Sequence, residues 1–304
     1  METEANTTGG TAESHDYGTL YVVSTPIGNL EDITLRALRV LKEVDLIAAE
    51  SVEHTRALCR HFGIETRTEV YNQHNQGVRG AGLIRRLQSG QSVALVTNAG
   101  TPGVSDPGVL LARQAAEAGI RISPVPGPSA VTAALSVSGM RGESFVFVGF
   151  LPNRPGKRRA ALQSLASEGR TLVFFEAPHR IEEMLRDLLE ILGDRTMVVV
   201  RELSKIHEEV LHGQVSSFLH RLEGRARGEF TLVVEGGRQE EAGEVVDERI
   251  KKTIVKLMSK NIMSVKDIAR MVAEGEGVPY RKVYRACLAI QGEESSTPGA
   301  PGER

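Results

Sequence analysis

The 304 residues contain no apolar run approaching the roughly 18 that a membrane-crossing helix needs, so a membrane-spanning chain is not expected. Cysteine is scarce. Cys59 and Cys287 lie far apart, each inside a predicted helix, which argues against a disulfide framework and fits a reducing cytoplasm. Neither sign of charge is in excess: 37 basic and 39 acidic residues leave a formal charge of −2, so no global basic field advertises nucleic acid, although a local patch could serve. Aromatic residues make up only 4%, leaving few platforms for stacked bases. Two phosphate signatures are also missing. Without G-x-x-x-x-G-K-[ST] a P-loop nucleotidase is not supported, and without G-x-G-x-x-G after the first strand neither is the usual dinucleotide fold. No metal site is expected.

What is present is an alternation. The short apolar runs TLYVVST, DLIAAE, TEVYN, SVALVTN and RISPVP are separated by helical patterns such as TLRALRVLKEV and VLLARQAAEAG, the rhythm of a mainly parallel sheet. Gly63 and Gly119 stand where left-handed helix C-caps belong. After the turn Pro126-Gly127-Pro128 the rhythm starts again with SFVFVGFL, TLVFFEAP, TMVVVREL, EEVLHG and EFTLVVEGG. The fold class is therefore α/β, with two α/β domains. Residues 1–17 are polar and acidic, and are expected to form a disordered leader. The N-terminal α/β domain covers 18–127 and the C-terminal one 128–238. A charged linker then precedes three short amphipathic helices, Ile250–Met258, Val265–Val272 and Tyr280–Ile290. They make a small helix-turn-helix-like domain over 246–291, followed by a disordered tail over 292–304.

Ligand chemistry is concentrated in loops poor in side chains. The stretch VTNAGTPGVSDPG directly follows the apolar SVAL, and STPIGNLEDIT, PGPSA and GFLP end other strands. Glycine lets a ligand approach the backbone closely and proline fixes the loop beforehand. Loops after successive parallel strands gather at the carboxyl edge, where open α/β sheets bind ligands. In the first of them Asn29 or Glu31 is expected to cap a helix starting near Asp32.

The ordered motifs STPIGNLEDITLRAL, AAE followed by HT, VTNAGTPGVSDPG, PGPSA, GFLP, FEAPHR and RELSK resemble the tetrapyrrole methylase superfamily from about Leu20 to Gly237. More narrowly, the chain is similar to the branch that methylates a cytidine ribose 2′-hydroxyl in the decoding region of 16S rRNA. The resemblance implies S-adenosylmethionine as cofactor, folded into the cleft between two α/β domains. It places that cofactor against Pro26, Asn98, Ala99, Gly100, Ser129, Ala130, Phe150, Leu151 and the strand start Glu229, Phe230, Thr231. It also implies a homodimer acting in the cytoplasm on 16S rRNA within the small ribosomal subunit.

A ribose hydroxyl is a weak acid, so a base is expected to assist the transfer. Glu50, His54, His74 and Glu202 are the leading candidates, with Glu176, His179 and Lys205 at comparable strand ends; nothing in the sequence singles one out. The basic run Arg154, Lys157, Arg158, Arg159 beyond GFLP is a candidate grip on RNA phosphates, or a solvated surface. Departures from the family pattern occur at Glu50-Ser51-Val52-Glu53, where relatives usually read Glu-Asp-Thr-Arg, at Asn98, where they carry Asp, and at Asn72 or Gln73, where they carry a second His. Three readings follow: an rRNA 2′-O-methyltransferase, a tetrapyrrole C-methyltransferase, or a non-catalytic RNA or ribosome-assembly binder on the same fold.

Overall fold

A computed structural model describes residues 16–222, 227–237, 248–259, 263–278 and 280–294. The leader up to residue 15, most of the linker and the end of the tail lie outside the described residues. The chain divides into two compact units, 1–237 and 238–304.

The first half of the larger unit runs β1 (Thr19–Val23), α1 (Leu35–Glu43), β2 (Leu46–Ala49), α2 (Val52–His61), β3 (Thr68–Val70), α3 (Gln76–Gln88), β4 (Val93–Val96), α4 (Val109–Glu117) and β5 (Arg121–Val125). The strands pair in parallel in the order β3-β2-β4-β1-β5. Strands β2 and β4 are buried at every position, as a parallel sheet covered by helices on both faces requires. Their side chains alternate between two cores. Ile47, Ala49, Ala94 and Val96 meet Ala37, Val40 and Leu41 of α1 and Leu58 of α2, whereas Leu46, Ala48, Val93 and Leu95 meet Leu83 and Leu87 of α3 and Leu111 of α4. Truncating fully buried Leu87 to Ala is expected to cost about 2–5 kcal/mol. Gly63 and Gly119 are left-handed, at φ 61° and 69°. The first helix starts later than the sequence suggests. Asn29 accepts from Glu31 N to close a single 3-10 turn, Leu30–Asp32, and α1 begins only after Thr34, whose hydroxyl accepts from Ala37 N.

The second half contains α5 (Ala130–Ser138), β6 (Phe145–Phe150), α6 (Pro155–Ser164), β7 (Thr171–Glu176), α7 (Ile181–Leu192), β8 (Thr196–Arg201), β9 (Glu209–Gln214), α8 (Val215–Leu222) and β10 (Phe230–Val234). Its sheet does not repeat the first. The order is β6-β7-β10-β8-β9; only β6 and β7 pair in parallel, β10 runs antiparallel between β7 and β8, and β9 is antiparallel to β8. The link between Arg201 and Glu209 is too short for a parallel crossover, which takes about a dozen residues or more. As β10 is reversed, its start meets the ends of its neighbours: Phe230 lies opposite both Glu176 and Arg201. One sheet face packs Leu172, Phe174, Val199 and Leu232 under α7 and α8, and the other packs Val173, Val198 and Val233 against Val131, Ala134 and Leu135 of α5.

The smaller unit holds α9 (Glu248–Met258), α10 (Val265–Glu276) and α11 (Tyr280–Glu294), each extending past its sequence-based bounds. Ile250, Ile254, Ile268, Val272, Val283 and Cys287 form its own core. Ser264 caps α10 by accepting from Asp267 N, and left-handed Gly277 ends it. Among the described residues, no helix is long and apolar enough to cross a membrane.

Candidate functional site

The loops that end the strands of the larger unit enclose a cavity of about 430 Å³. Its floor is stitched from two of them. Thr25 N donates to Gly100 O at 2.9 Å and Gly100 N returns a bond to Thr25 O at 3.0 Å, while the Ser24 and Thr101 hydroxyls pair at 2.8 Å. Gly100 takes φ 73°, a conformation that glycine adopts at little cost. On the opposite wall Phe150 and Phe175 pack edge to face, with centroids 5.6 Å apart.

The wall is acidic. Glu50, Asp106, Glu176 and Glu229 line the cavity, and among the described residues no Lys, Arg or His does. Glu50 Oε2 accepts from Asn98 N at 3.1 Å. Burial, then the charge of Glu50, pushes the Asp106 carboxyl up to about 6, and a hydrogen bond with Thr97 partly offsets this. Burial also raises Glu176, whose Oε1 accepts from Ala177 N at 2.8 Å. Arg180 Nε stands 3.4 Å from that oxygen, near enough for charge attraction but not aligned for a hydrogen bond. Glu176 Oε2 and Asn98 Oδ1 are buried with no partner in the protein. Buried polar atoms are rarely left so unless a ligand, ion or water satisfies them.

Of the residues assigned to cofactor binding, Asn98, Ala99, Gly100, Ser129, Ala130, Phe150, Glu229, Phe230 and Thr231 line this cavity. Pro26 and Leu151 do not. Pro26 is buried and its neighbour Ile27 lines the space instead. Leu151 sits in the core under α7, and its carbonyl is taken by Arg180 Nη2 at 2.7 Å.

Among the candidate bases, Glu50 and Glu176 reach the cavity; His54, His74, His179, Glu202 and Lys205 are not among its lining residues. His54 and His74 are exposed. Glu202 accepts from Lys205 Nζ at 3.0 Å and from Glu229 N at 2.9 Å, and the Lys205 ammonium holds its carboxyl below the usual range. The turn that carries it is fitted closely against the first loop: a Cβ on Gly28 would come within 2.6 Å of Lys205 Cγ and 2.7 Å of Leu203 O.

The basic cluster is divided. Arg158 is buried, donating from Nε to Asp187 at 2.7 Å and from Nη2 to Glu183 at 3.2 Å, and Arg159 is bound to Asp187 and Glu190. Both anchor α6 to α7; buried Arg158 is corrected from phosphate grip to helix packing, whereas the Arg159 side chain stays 39% exposed. Arg154 and Lys157 remain exposed at the helix start. Glu53, the reversed charge, lies in the first turn of α2, where a carboxylate complements the helix dipole. The sequence-level reading missed Asp106, inside the quoted glycine-rich loop.

The profile of the Tetrapyrrole (Corrin/Porphyrin) Methylases matches residues 19–219. The chain is 45% identical over 271 residues to a ribosomal RNA small subunit methyltransferase I of Xylella fastidiosa, covering 88% of this chain and 98% of that one. It is 43% identical over 284 residues to that of Pseudomonas aeruginosa, covering 91% and 99%. Among solved structures, a uroporphyrin-III C-methyltransferase of Thermus thermophilus superposes with a TM-score of 0.53 at 24% identity, covering 72% of this chain and 94% of that one. Cobalt precorrin-4 methyltransferase gives 0.55 at 18%, covering 73% and 95%. These structural likenesses bear on the fold.

Proposed function

This chain belongs to the tetrapyrrole methylase family and, within it, to the ribosomal RNA small subunit methyltransferase I group, and we propose that it methylates a cytidine ribose 2′-hydroxyl of 16S rRNA from S-adenosylmethionine. The observation that carries this reading is the cavity lined by four carboxylates and, among the described residues, by no cation. S-adenosylmethionine brings a sulfonium and an ammonium against a single carboxylate, so its net charge is complementary to that wall. The volume also falls within the range of small-molecule sites.

When bound, the cofactor supplies a methyl group already activated by positive sulfur. The protein's own residues hold, orient and dry. Asn98, Ala99 and Gly100 line the space with little side chain in the way, and the bonds of Gly100 to Thr25 and of Asn98 N to Glu50 fix the shape of that wall. Ser129 at the N-terminus of α5 leaves that helix end without a side-chain cap, a setting suited to the carboxylate of the methionine part. Glu176 Oε2 and Asn98 Oδ1 await donors, and Phe150 with Phe230 supplies apolar cover. Holding both reactants in line accounts for much of such a rate enhancement.

RNA contacts are assigned to Arg154, Lys157 and the segment 248–291, which carries ten Lys or Arg against four Asp or Glu. We assign the active form to a homodimer, a reading supported by exposed Leu35, Val78 and Val109, and its place of action to the cytoplasm, supported by two buried free cysteines. A tetrapyrrole substrate is disfavoured because its carboxylates would face Glu50, Asp106 and Glu176, and among the described residues no cation lines the cavity. The test is methyl incorporation into unmodified 30S subunits, mapped to 2′-O positions, with cofactor affinity measured by calorimetry. Binding without incorporation supports the non-catalytic reading; no binding at millimolar cofactor removes both enzyme readings.

A further inference from the structure

The four carboxylates of the cavity differ in what already holds them. Glu176 Oε1 accepts from Ala177 N, and burial drives that side chain toward its protonated form. Glu50 Oε2 is occupied by Asn98 N. The Glu229 side chain is 78% exposed and pairs with Lys205 Nζ at 3.2 Å. Asp106 is different: the Thr97 hydroxyl beside it also donates to Ala99 O at 3.3 Å, so its hold on that carboxylate is shared.

The loop that carries Asp106 is fixed in place. Gly103 N donates to Pro107 O at 3.2 Å. Ser105 takes φ 61°, unusual for a residue with a side chain, and its Oγ lies 2.7 Å from the position a Cβ on Gly149 would occupy. Gly149 itself is left-handed, at φ 72°, in the bulge where β6 loses register with β7. Two unusual backbone positions, one from each half of the unit, thus seat against each other one residue from Asp106. Glu176 Oε2, fully buried and unpartnered, lines the same cavity and marks it as a place for a ligand.

Resting on the methyltransferase reading above, we propose that Asp106 is the proton acceptor of methyl transfer and that Glu50 tunes it. The ribose O–H bond breaks and its proton passes to a carboxylate oxygen of Asp106. The oxygen pair so exposed forms the bond to the methyl carbon, and the pair of the carbon–sulfur bond stays on sulfur, leaving a neutral thioether. Charge balances, since one carboxylate and one sulfonium become a carboxylic acid and a thioether. Held at about 6 by burial and by Glu50, Asp106 is a stronger base than a free aspartate and is still ionised at neutral pH. The charged groups that face it are Glu50 from the end of β2, Glu176 from the end of β7 and Glu229 from the start of β10; Arg180 and Lys205 stand behind the last two.

The experiment measures single-turnover methyl transfer to 30S subunits by the full chain between about pH 5.5 and 8.5, for wild type, Asp106→Asn and Glu50→Gln. With cofactor well below saturation, so that the rate reports the free protein, wild type should rise with pH up to an inflection near 6 and then level. Asp106→Asn should lose roughly 100-fold or more and show no inflection there. Glu50→Gln, which keeps an acceptor for Asn98 N, should move the inflection to lower pH by removing the neighbouring charge, a response that a purely structural role would not give. A second readout needs no RNA. Proton release on cofactor binding, taken from calorimetry in two buffers, should at pH near 6 be larger for wild type than for Asp106→Asn, and the gap should close by about pH 8. Asp106→Asn within threefold of wild type, an inflection unmoved by Glu50→Gln, or equal proton release would overturn the assignment. Wild type that neither binds cofactor nor methylates 30S would instead overturn the parent reading.

Discussion

Asp106→Asn should make the protein more stable while disabling it. A carboxyl held at about 6 in the folded chain against 3.8 ordinarily costs about 3 kcal/mol at full weight, at about 1.36 kcal/mol per pH unit. Asp106 is only partly buried, and solvent screening reduces this to about 1–1.5 kcal/mol. The sign follows from proton binding. Below 3.8 the folded and unfolded chains both keep the proton and no penalty exists. From there to about 6 the folded chain binds the proton that the unfolded one has lost, so wild-type stability declines as pH rises, and above about 6 the penalty is complete. Asparagine keeps the shape, can still accept from Thr97, and has no charge to desolvate. Cofactor-free thermal melts at neutral pH should therefore place the variant about 2–6 °C above wild type, at about 2–4 °C per kcal/mol for a unit of this size. The gap should close toward pH 4. A variant that melts at or below wild type at neutral pH, or a gap that persists in acid, would refute the claim that the fold holds this carboxylate against its own stability.

Three further outcomes are expected. Gly149→Ala places a Cβ 2.7 Å from Ser105 Oγ at a φ of 72°, so it should cost about 1–2 kcal/mol in denaturant melts and lower single-turnover methyl transfer by tenfold or more; unchanged transfer would show that the Ser105 contact does not position Asp106. Neutralising Arg154 and Lys157 together should reduce the log–log salt slope of RNA binding by at most about 1.4–1.8, whereas Arg158→Ala should leave that slope alone and destabilise the fold by about 1.5–3 kcal/mol, since Asp187 loses one charge-assisted bond but keeps Arg159. Ending the chain after Gly237 should preserve cofactor affinity in calorimetry yet sharply reduce methylation of 30S subunits, since contacts remote from the reacting ribose are what orient it.

The first sheet was legible because each of its strands is a short apolar run followed by a helix with its own stop, and nothing competes with that pattern. The second half looked like a repeat for the same reason and is not one. What speaks against repetition is a loop length: seven residues between Arg201 and Glu209 permit only an antiparallel turn. Insertion of β10 between β7 and β8 is a nonlocal pairing that no local pattern records. In the site, the glycine and proline loops announced themselves, whereas Asp106 was hidden because Ser-Asp-Pro-Gly also reads as ordinary turn punctuation. Arg158 was misassigned although the clue was present. Glu183, Asp187 and Glu190 recur at spacings of four and three, which puts them along one face of α7 and gives an acidic stripe for a basic helix to meet. Exposure of His54 depends on which face of α2 meets the sheet, and that of His74 on the direction of its turn, neither of which the sequence states.

Removing Arg158 from the RNA interface makes the electrostatics around the cavity simpler. The interior of the cavity is anionic and suits a cationic cofactor, but the same four carboxylates repel the phosphates that flank any ribose. A nucleotide can therefore present its hydroxyl only if its phosphates are held outside by cations that compensate the approach. Arg154 and Lys157, exposed at the start of α6, are the cations proposed for that role. Phosphate contacts of this kind fix position without reading sequence. The wall that excludes phosphate and favours the sulfonium also contains the carboxylate placed to take the proton, so one arrangement of charge binds the cofactor, filters the substrate and assists the transfer.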